Sequence, residues 1–421
     1  MPRQRFLVVP LVAFAAACAD SPVAPSRVEV GNPSFQQSEG RGVFQRYVAI
    51  GTSISMGVIA DGVFSGSQVS SWPAQLARMG DREITQPLIQ FPGCRSPFAA
   101  PLGGGVRLSG ESIFADAATL SCAPLEPGVT LPTQNTSLSG ARARDALFTT
   151  PQNILDAGNA KMYGRVLPPN MTQLDVMEAE NPKLVSVEFG VNEVLNGRSG
   201  VALVGPPPFP IENPANFAAQ MHQIFDRIDA AKVKHVLVVG LPRSPFEASA
   251  FRSGAEIWAN AGVLLAAFNV AVQPDCNAEN AGNQIFAVAR IPLAIQAGLT
   301  ARTLGQPPVP LSCAGAGPTT QDLVLDASEQ AILNTVVAQM NAALQAEAEA
   351  RGYAFMSLDA LYSAPGVRVP LNVVALMTSA TPWGPFMSLD GLHPSAAGQT
   401  LIAQAAAQAL NAKYNLGIPT P

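Results

Sequence analysis

Four short apolar runs punctuate the chain, and each stops at a glycine or a polar turn. They are Tyr47-Val48-Ala49-Ile50 before Gly51, Leu184-Val185-Ser186-Val187-Glu188-Phe189 before Gly190, His235-Val236-Leu237-Val238-Val239 before Gly240, and Tyr353-Ala354-Phe355-Met356-Ser357-Leu358. Runs this short and this apolar suit strands covered on both faces, the condition of a parallel sheet. Helical patterns occupy 73–79, 216–231, 327–351 and 395–412, with a weaker one over 247–267. Strands alternating with helices predict an α/β fold, a three-layer α/β/α sandwich around a parallel central sheet. Its connections are right-handed, and ligands bind beyond the C-terminal ends of the strands.

The stretches between these units are long and rich in Pro, Gly and Ser: about 61–182, 195–214 and 241–326. With Gly 35 and Pro 37 in 421 residues, such stretches read as ordered loop insertions into one domain spanning 43–421. At 48% hydrophobic and 13% charged residues, the chain can bury a large core, and global disorder or a long coiled coil is excluded. The net charge of −5 carries no basic footprint, so nucleic acid is not an expected partner.

The first residues describe export. Arg3 and Arg5 precede an apolar run from Phe6 to Ala17 that is too short to cross a bilayer, so 1–17 reads as a signal peptide. Ala15-Ala16-Ala17-Cys18 resembles a bacterial lipoprotein cleavage box, which makes Cys18 the lipidation site and the only link to a membrane. The other reading is ordinary cleavage and a secreted soluble protein. Residues 18–42, polar and without periodicity, then form a tether. Setting Cys18 aside leaves Cys94, Cys122, Cys276 and Cys313, an even number suited to disulfides in an oxidising compartment. Three pairings are possible. Cys94–Cys122 and Cys276–Cys313 are expected, because each pair brackets one Gly/Pro-rich stretch.

Chemistry concentrates in four places. Gly51-Thr52-Ser53-Ile54 follows the first strand, where a serine on a tight turn presents its hydroxyl to a ligand. Asp390-Gly391-Leu392-His393-Pro394 stands before the last helix; Pro394 suits the first helical position, which puts His393 at the cap. An Asp three residues before a His can hold one ring nitrogen and leave the other as a base. Phe189-Gly190-Val191-Asn192-Glu193 offers a side-chain amide for a developing oxyanion, and Ser139-Gly140-Ala141 a backbone N–H. Of the three histidines, His222 falls within a helix and His235 starts a strand. No cluster has metal-ligand spacing, and no cofactor is expected.

In this order the blocks resemble the SGNH (GDSL) hydrolase family. Gly51-Thr52-Ser53 is similar to its first block with Thr52 in place of Asp, Gly190-Val191-Asn192-Glu193 to its third with Glu193 in place of Asp, and Asp390 to Pro394 to its last. The resemblance implies Ser53 as nucleophile, His393 as general base and acid, and Asp390 as its orienter. It implies an oxyanion hole of the Ser53 and Gly140 N–H groups and the Asn192 side chain. The implied activity is that of an esterase or lipase acting on a lipid, a small ester or an acylated glycan. Thr52 removes a carboxylate that braces the nucleophile loop in the family, a role Glu193 can fill. Glu188, odd in an apolar strand, is a candidate buried partner for Arg142 or Arg144. Two alternatives keep the fold: a surface-anchored binding module whose catalysis has decayed, and a polysaccharide O-deacetylase or acyltransferase with sugars stacked on Trp72, Trp258 and Trp383.

Overall fold

The computed structural model describes residues 39–206 and 209–420. The signal peptide, Cys18 and most of the tether lie outside the described residues, as do Pro207 and Pro208. The last residues of the expected tether are not extended: Glu39–Val43 form one helical turn.

Four strands build the central sheet, β1 (Tyr47–Gly51), β2 (Leu184–Glu188), β3 (His235–Gly240) and β4 (Ala354–Ser357), in spatial order β1-β2-β3-β4. All three pairings are parallel, with Tyr47 opposite Leu184, Leu184 opposite His235, and Leu237 opposite Ala354. Every residue of β1 and β2 is buried, which is why β1 reads as a continuous apolar run; in β2 the buried Ser186 and Glu188 interrupt the run, Ser186 hydrogen-bonding Tyr47 Oη at 2.8 Å. Helices Trp72–Met79 and Ala396–Tyr414 pack together on one side, and Ala396–Tyr414 reaches β4. Pro214–Ala230 and Ala327–Arg351 pack together on the other, with the latter against β3. The result is the expected three-layer α/β/α sandwich, with helix bounds displaced by at most two residues.

The outer edge of β1 is covered by a segment with no apolar signature. Ala49 N–H donates to Gln134 O, Thr136 N–H to Ala49 O and Leu138 N–H to Gly51 O. Thr133–Leu138 therefore runs parallel to β1 and delivers Gly140 to the C-terminal mouth of the sheet.

The insertions hold more regular structure than a loop reading predicts. Helices Ala143–Phe148, Ala157–Val166 and Gln173–Glu180 lie within 61–182, and Ala287–Thr303 lies within 241–326. Gln173–Glu180 carries a legible start: Thr172 accepts from Asp175 N–H while the Asp175 carboxylate accepts from Thr172 N–H, a capping box. Small sheets also form in 241–326, with Phe251–Ser253, Gln284–Phe286 and Val324–Leu325 in one and Val270–Val272 with Val309–Leu311 in the other. The weak helical pattern over 247–267 resolves into strand Phe251–Ser253 and two short helices, Gly254–Trp258 and Ala261–Phe268. Ile89, Ile257 and Ile291 from the insertions are buried in the same core as the sheet. Disulfides join Cys94 to Cys122 and Cys276 to Cys313, the expected pairing. Among the described residues no helix is long and apolar enough to cross a membrane.

Candidate active site

At the C-terminal end of β1 the chain turns at Thr52, which is extended, and Ser53 opens a one-turn helix, Ser53–Met56. Ser53 is buried at 5% exposure. Its hydroxyl donates to His393 Nε2 at 2.9 Å, and His393 Nδ1–H donates to Asp390 Oδ2 at 2.6 Å. The structure thus brings Ser53 into one line of hydrogen bonds with a His–Asp pair more than 330 positions away.

The Asp390 loop is over-determined. Oδ1 accepts from the N–H groups of Leu392 and His393, both at 2.9 Å, and from Ser388 Oγ at 3.1 Å. Oδ2 accepts from Asp61 N–H at 2.6 Å as well as from the imidazole. Burial opposes ionisation of Asp390, but the charge and hydrogen bonds of His393, with the loop N–H groups, bring it down to about 2. Burial likewise works against an imidazolium. Asp390 outweighs it, holding His393 above its ordinary value.

His393 is not the helix cap. Ser395 takes that place, accepting from Gly398 N–H, and the last helix starts at Ala396. Pro394 is extended and bridged to Met387. A serine hydroxyl can satisfy an open N–H of the first turn, so the cap falls two residues later and the imidazole stays free to face Ser53.

Three elements place the oxyanion candidates. Gly140 follows the edge segment with φ +79, and a Cβ there would lie 2.4 Å from Asn159 Nδ2. Only glycine fits both constraints. Among the described residues, the backbone N–H groups of Ser53 and Gly140 have no acceptor. Asn192, in the helix after β2, donates one Nδ2 hydrogen to Ala141 O at 2.8 Å, which fixes the amide plane and leaves its second N–H.

The missing aspartate at Thr52 is replaced from the next strand. Glu188, the last residue of β2, accepts from Thr52 Oγ1 at 2.8 Å, Thr52 N–H at 3.1 Å, Ser55 Oγ at 2.9 Å and Ser55 N–H at 3.3 Å. Ser55 Oγ in turn accepts from Trp72 Nε1. Glu188 is therefore no partner of Arg142 or Arg144; it points along the sheet into the turn at Ser53, and burial raises its carboxyl above the usual range. Gln173 clamps Gly51, accepting from its N–H and donating to its carbonyl. Glu193, expected to brace the loop at Ser53, does not reach it, because Glu188 fills that place; its Oε1 instead accepts from Ala143 N–H at 2.6 Å, and burial pushes the carboxyl up to about 7. Replacing Glu188 with alanine leaves two hydroxyls and two N–H groups facing a buried void. It should cost at least about 3 kcal/mol of unfolding free energy in urea titration, with Glu188→Gln losing less. A loss below about 1 kcal/mol would show that the brace is dispensable.

Sequence reasoning did not find the support around Asp61. Its backbone lies in the left-handed region (φ 59), its carboxylate pairs with Arg95 and Arg107 at 2.7 Å each, and its N–H reaches Asp390. Arg107 is almost fully buried and also donates to Ser96 O. Nothing local in the sequence marks this triplet, because its members are brought together only by the insertion's fold. The tryptophans do not form a sugar platform: Trp72 and Trp383 are fully buried, with Trp383 Nε1–H donating to Leu389 O, and Trp258 is half-buried. Among the described residues no group of three His, Cys, Asp or Glu is clustered to hold a metal ion.

Beside Ser53 and His393 opens a largely apolar pocket. Val194, Leu195, Leu241, Phe251, Leu333 and Val337 line it, together with Arg198 and Tyr362.

No curated protein matches the sequence. Among solved structures, the chain is similar to a candidate GDSL-like lipase from Parabacteroides merdae at 10% identity and TM-score 0.36, over 87% of this chain and 94% of that one. It is also similar to an extracellular lipase from Streptomyces rimosus at 16% identity and TM-score 0.33, over 87% and 98%. At these TM-scores the likenesses carry no weight of their own. The family model for GDSL-like lipases and acylhydrolases matches residues 47–406, from the first residue of β1 into the last helix. Spanning most of the chain, that match makes the protein a member of the GDSL-like lipase/acylhydrolase family, a hydrolase of the esterase and lipase type.

Proposed function

We propose that the protein is an exported serine esterase that cleaves carboxylic esters through an acyl-enzyme, with Ser53, His393 and Asp390 as its triad. The observation that carries this reading is the continuous relay from Ser53 Oγ through both ring nitrogens of His393 to Asp390. His393 Nε2 takes the proton as Ser53 Oγ attacks the ester carbonyl. The oxyanion gains the N–H groups of Ser53 and Gly140 and the second Asn192 N–H, each such donor worth about 3 kcal/mol in the transition state. Collapse expels the alcohol, which takes the proton from His393. Water then repeats the sequence on the acyl-enzyme and restores Ser53. The two disulfides support an oxidising compartment, and Cys18 is the proposed lipid anchor.

An unbroken relay weighs against a decayed binding module. With Trp72 and Trp383 fully buried, the stacking surface that favoured a polysaccharide substrate is reduced to half-buried Trp258.

A fluorophosphonate probe should label the peptide containing Ser53, and nowhere else, as read by mass spectrometry; no labelling would sink the assignment. The pH profile gives a second check. Only neutral His393 accepts a proton, and its imidazole titrates above the ordinary 6.5. The acid limb of kcat/KM should therefore fall below an apparent pKa higher than that value. A limb at or below 6.5 would contradict the pairing with Asp390.

A further inference from the structure

Four polar side chains line the pocket beside the triad: Ser53, His393, Tyr362 and Arg198. The first two have assigned work. Tyr362 Oη donates to Leu392 O at 2.6 Å and is committed. Arg198 stands apart. Among the described residues it has no carboxylate within ion-pair distance, and its one hydrogen bond runs from Nη1 to Leu195 O at 3.2 Å. Its guanidinium carbon lies 5.7 Å from the centre of the Phe286 ring. The two buried arginines among the described residues are each paired with a carboxylate, Arg107 with Asp61 and Arg252 with Glu256.

A guanidinium offers five N–H donors in a flat fork matched to carboxylate and phosphate oxygens. Placed among Val194, Leu195, Phe251, Leu333 and Val337, it is poorly hydrated, and burial pushes against its charge. Asp61 and Asp390 favour that charge from a distance, while Arg95 opposes it. None of them neutralises it by contact. A cation that lines the pocket holding the nucleophile, with a single hydrogen bond of its own, is suited to an anion brought by the substrate.

We infer that Arg198 selects esters bearing an anionic group, a carboxylate or phosphate, held in this pocket next to the scissile bond. The inference rests on the serine esterase reading and deepens it. The neutral remainder of the substrate contacts the apolar lining, and the anion forms a forked pair with Arg198. Arg198 thereby sets which ester is held, while Ser53 and His393 carry out the cleavage.

The test compares matched esters on the full chain at low salt. One arm sets p-nitrophenyl hydrogen succinate, with its anion on the acyl side, against p-nitrophenyl pentanoate. The other sets 1-butyryl-glycerol 3-phosphate, with its anion on the alcohol side, against monobutyrin. On at least one arm the anionic ester should lead in kcat/KM by about tenfold or more, a lead that shrinks as salt rises. Arg198→Gln should erase the lead, and Arg198→Lys should keep part of it. Neutral esters favoured on both arms, or a lead that survives Arg198→Gln, would overturn the inference. Should the Gln variant fail to fold, the wild-type ratios and Arg198→Lys decide. If no ester is turned over and Ser53 stays unlabelled, the esterase reading fails on its own. Calorimetry with monoethyl succinate then judges Arg198: binding lost in Arg198→Gln supports its role, and no binding by the wild type refutes it.

Discussion

Replacing Ser53 with alanine should lower kcat toward short p-nitrophenyl esters by at least about 10,000-fold while shifting Tm by only about 2 °C. The two readouts separate because of what Ser53 touches. Its hydroxyl has one partner, His393 Nε2, and its backbone opens the Ser53–Met56 turn. Thr52 and Ser55, on either side, carry the anchoring to Glu188, and alanine disturbs neither. The oxyanion donors also remain, since two are backbone N–H groups and the third is Asn192. A residual rate above the uncatalysed reaction is therefore expected, as when a triad member is removed from a serine hydrolase with its oxyanion hole intact. Undiminished turnover in a well-folded Ser53→Ala protein would place the nucleophile elsewhere.

Asp390→Asn is the second large effect, for a reason visible in the hydrogen-bond directions. Both Asp390 oxygens face donors only: Ser388 Oγ and the N–H groups of Leu392 and His393 on one, Asp61 N–H and His393 Nδ1–H on the other. An asparagine must set its own NH2 against one of these groups whichever way it is turned. If it faces His393, the proton moves to Nε2 and the base is lost, so kcat should drop by about 10,000-fold. Stability should fall as well, with a recognisable pH signature. Asp390 titrates at about 2 when folded, against 3.8 for the free side chain. Its contribution is thus present above pH 4 and lost as pH falls toward 2, and the shift corresponds to about 2 kcal/mol. The wild type should show this loss in denaturant titrations across that acid range. The variant should have lost this share already at neutral pH, so its fall across that range, carried by other depressed carboxylates such as Asp175 and Asp326, should be smaller by about 2 kcal/mol. A wild-type curve flat from pH 4 to 2 would contradict the assignment.

The sheet was readable because burial on both faces forces apolar residues at consecutive positions, so Val48 to Ile50 and Val236 to Val239 announce themselves without neighbours. The nucleophile was readable for another reason, its place on a tight turn at a strand end, and the Asp390 loop because Asp390 and His393 lie three residues apart. What escaped was support supplied across long separations. Glu188 stood out in an apolar strand, but its partner is Thr52, 136 residues earlier, and only strand register sets the two side by side. The edge segment at Thr133–Leu138 carries polar residues because its backbone hydrogen bonds go to β1 and its side chains reach groups far along the chain, as Asn135 Nδ2 donates to Ser55 O, 80 residues earlier. Most helices of the insertions are short and several contain glycine, while the 17-residue Ala287–Thr303 carries Pro292 in its interior, so their periodicity is weak. Tertiary contacts rather than propensity hold them.

The tie between Asp61 and the Asp390 loop bears on how such an enzyme can change over time. In many folds the segments that choose substrates are separable from those that perform chemistry, so loops can be exchanged between relatives at little cost. Here the 61–182 stretch supplies an N–H to the triad aspartate, a clamp on Gly51 through Gln173, and Gly140 itself. A transplanted segment with different contacts would alter the protonation and aim of His393 along with any new preference. Change in this lineage is therefore expected to proceed by single substitutions around the pocket, with the 61–182 stretch inherited whole.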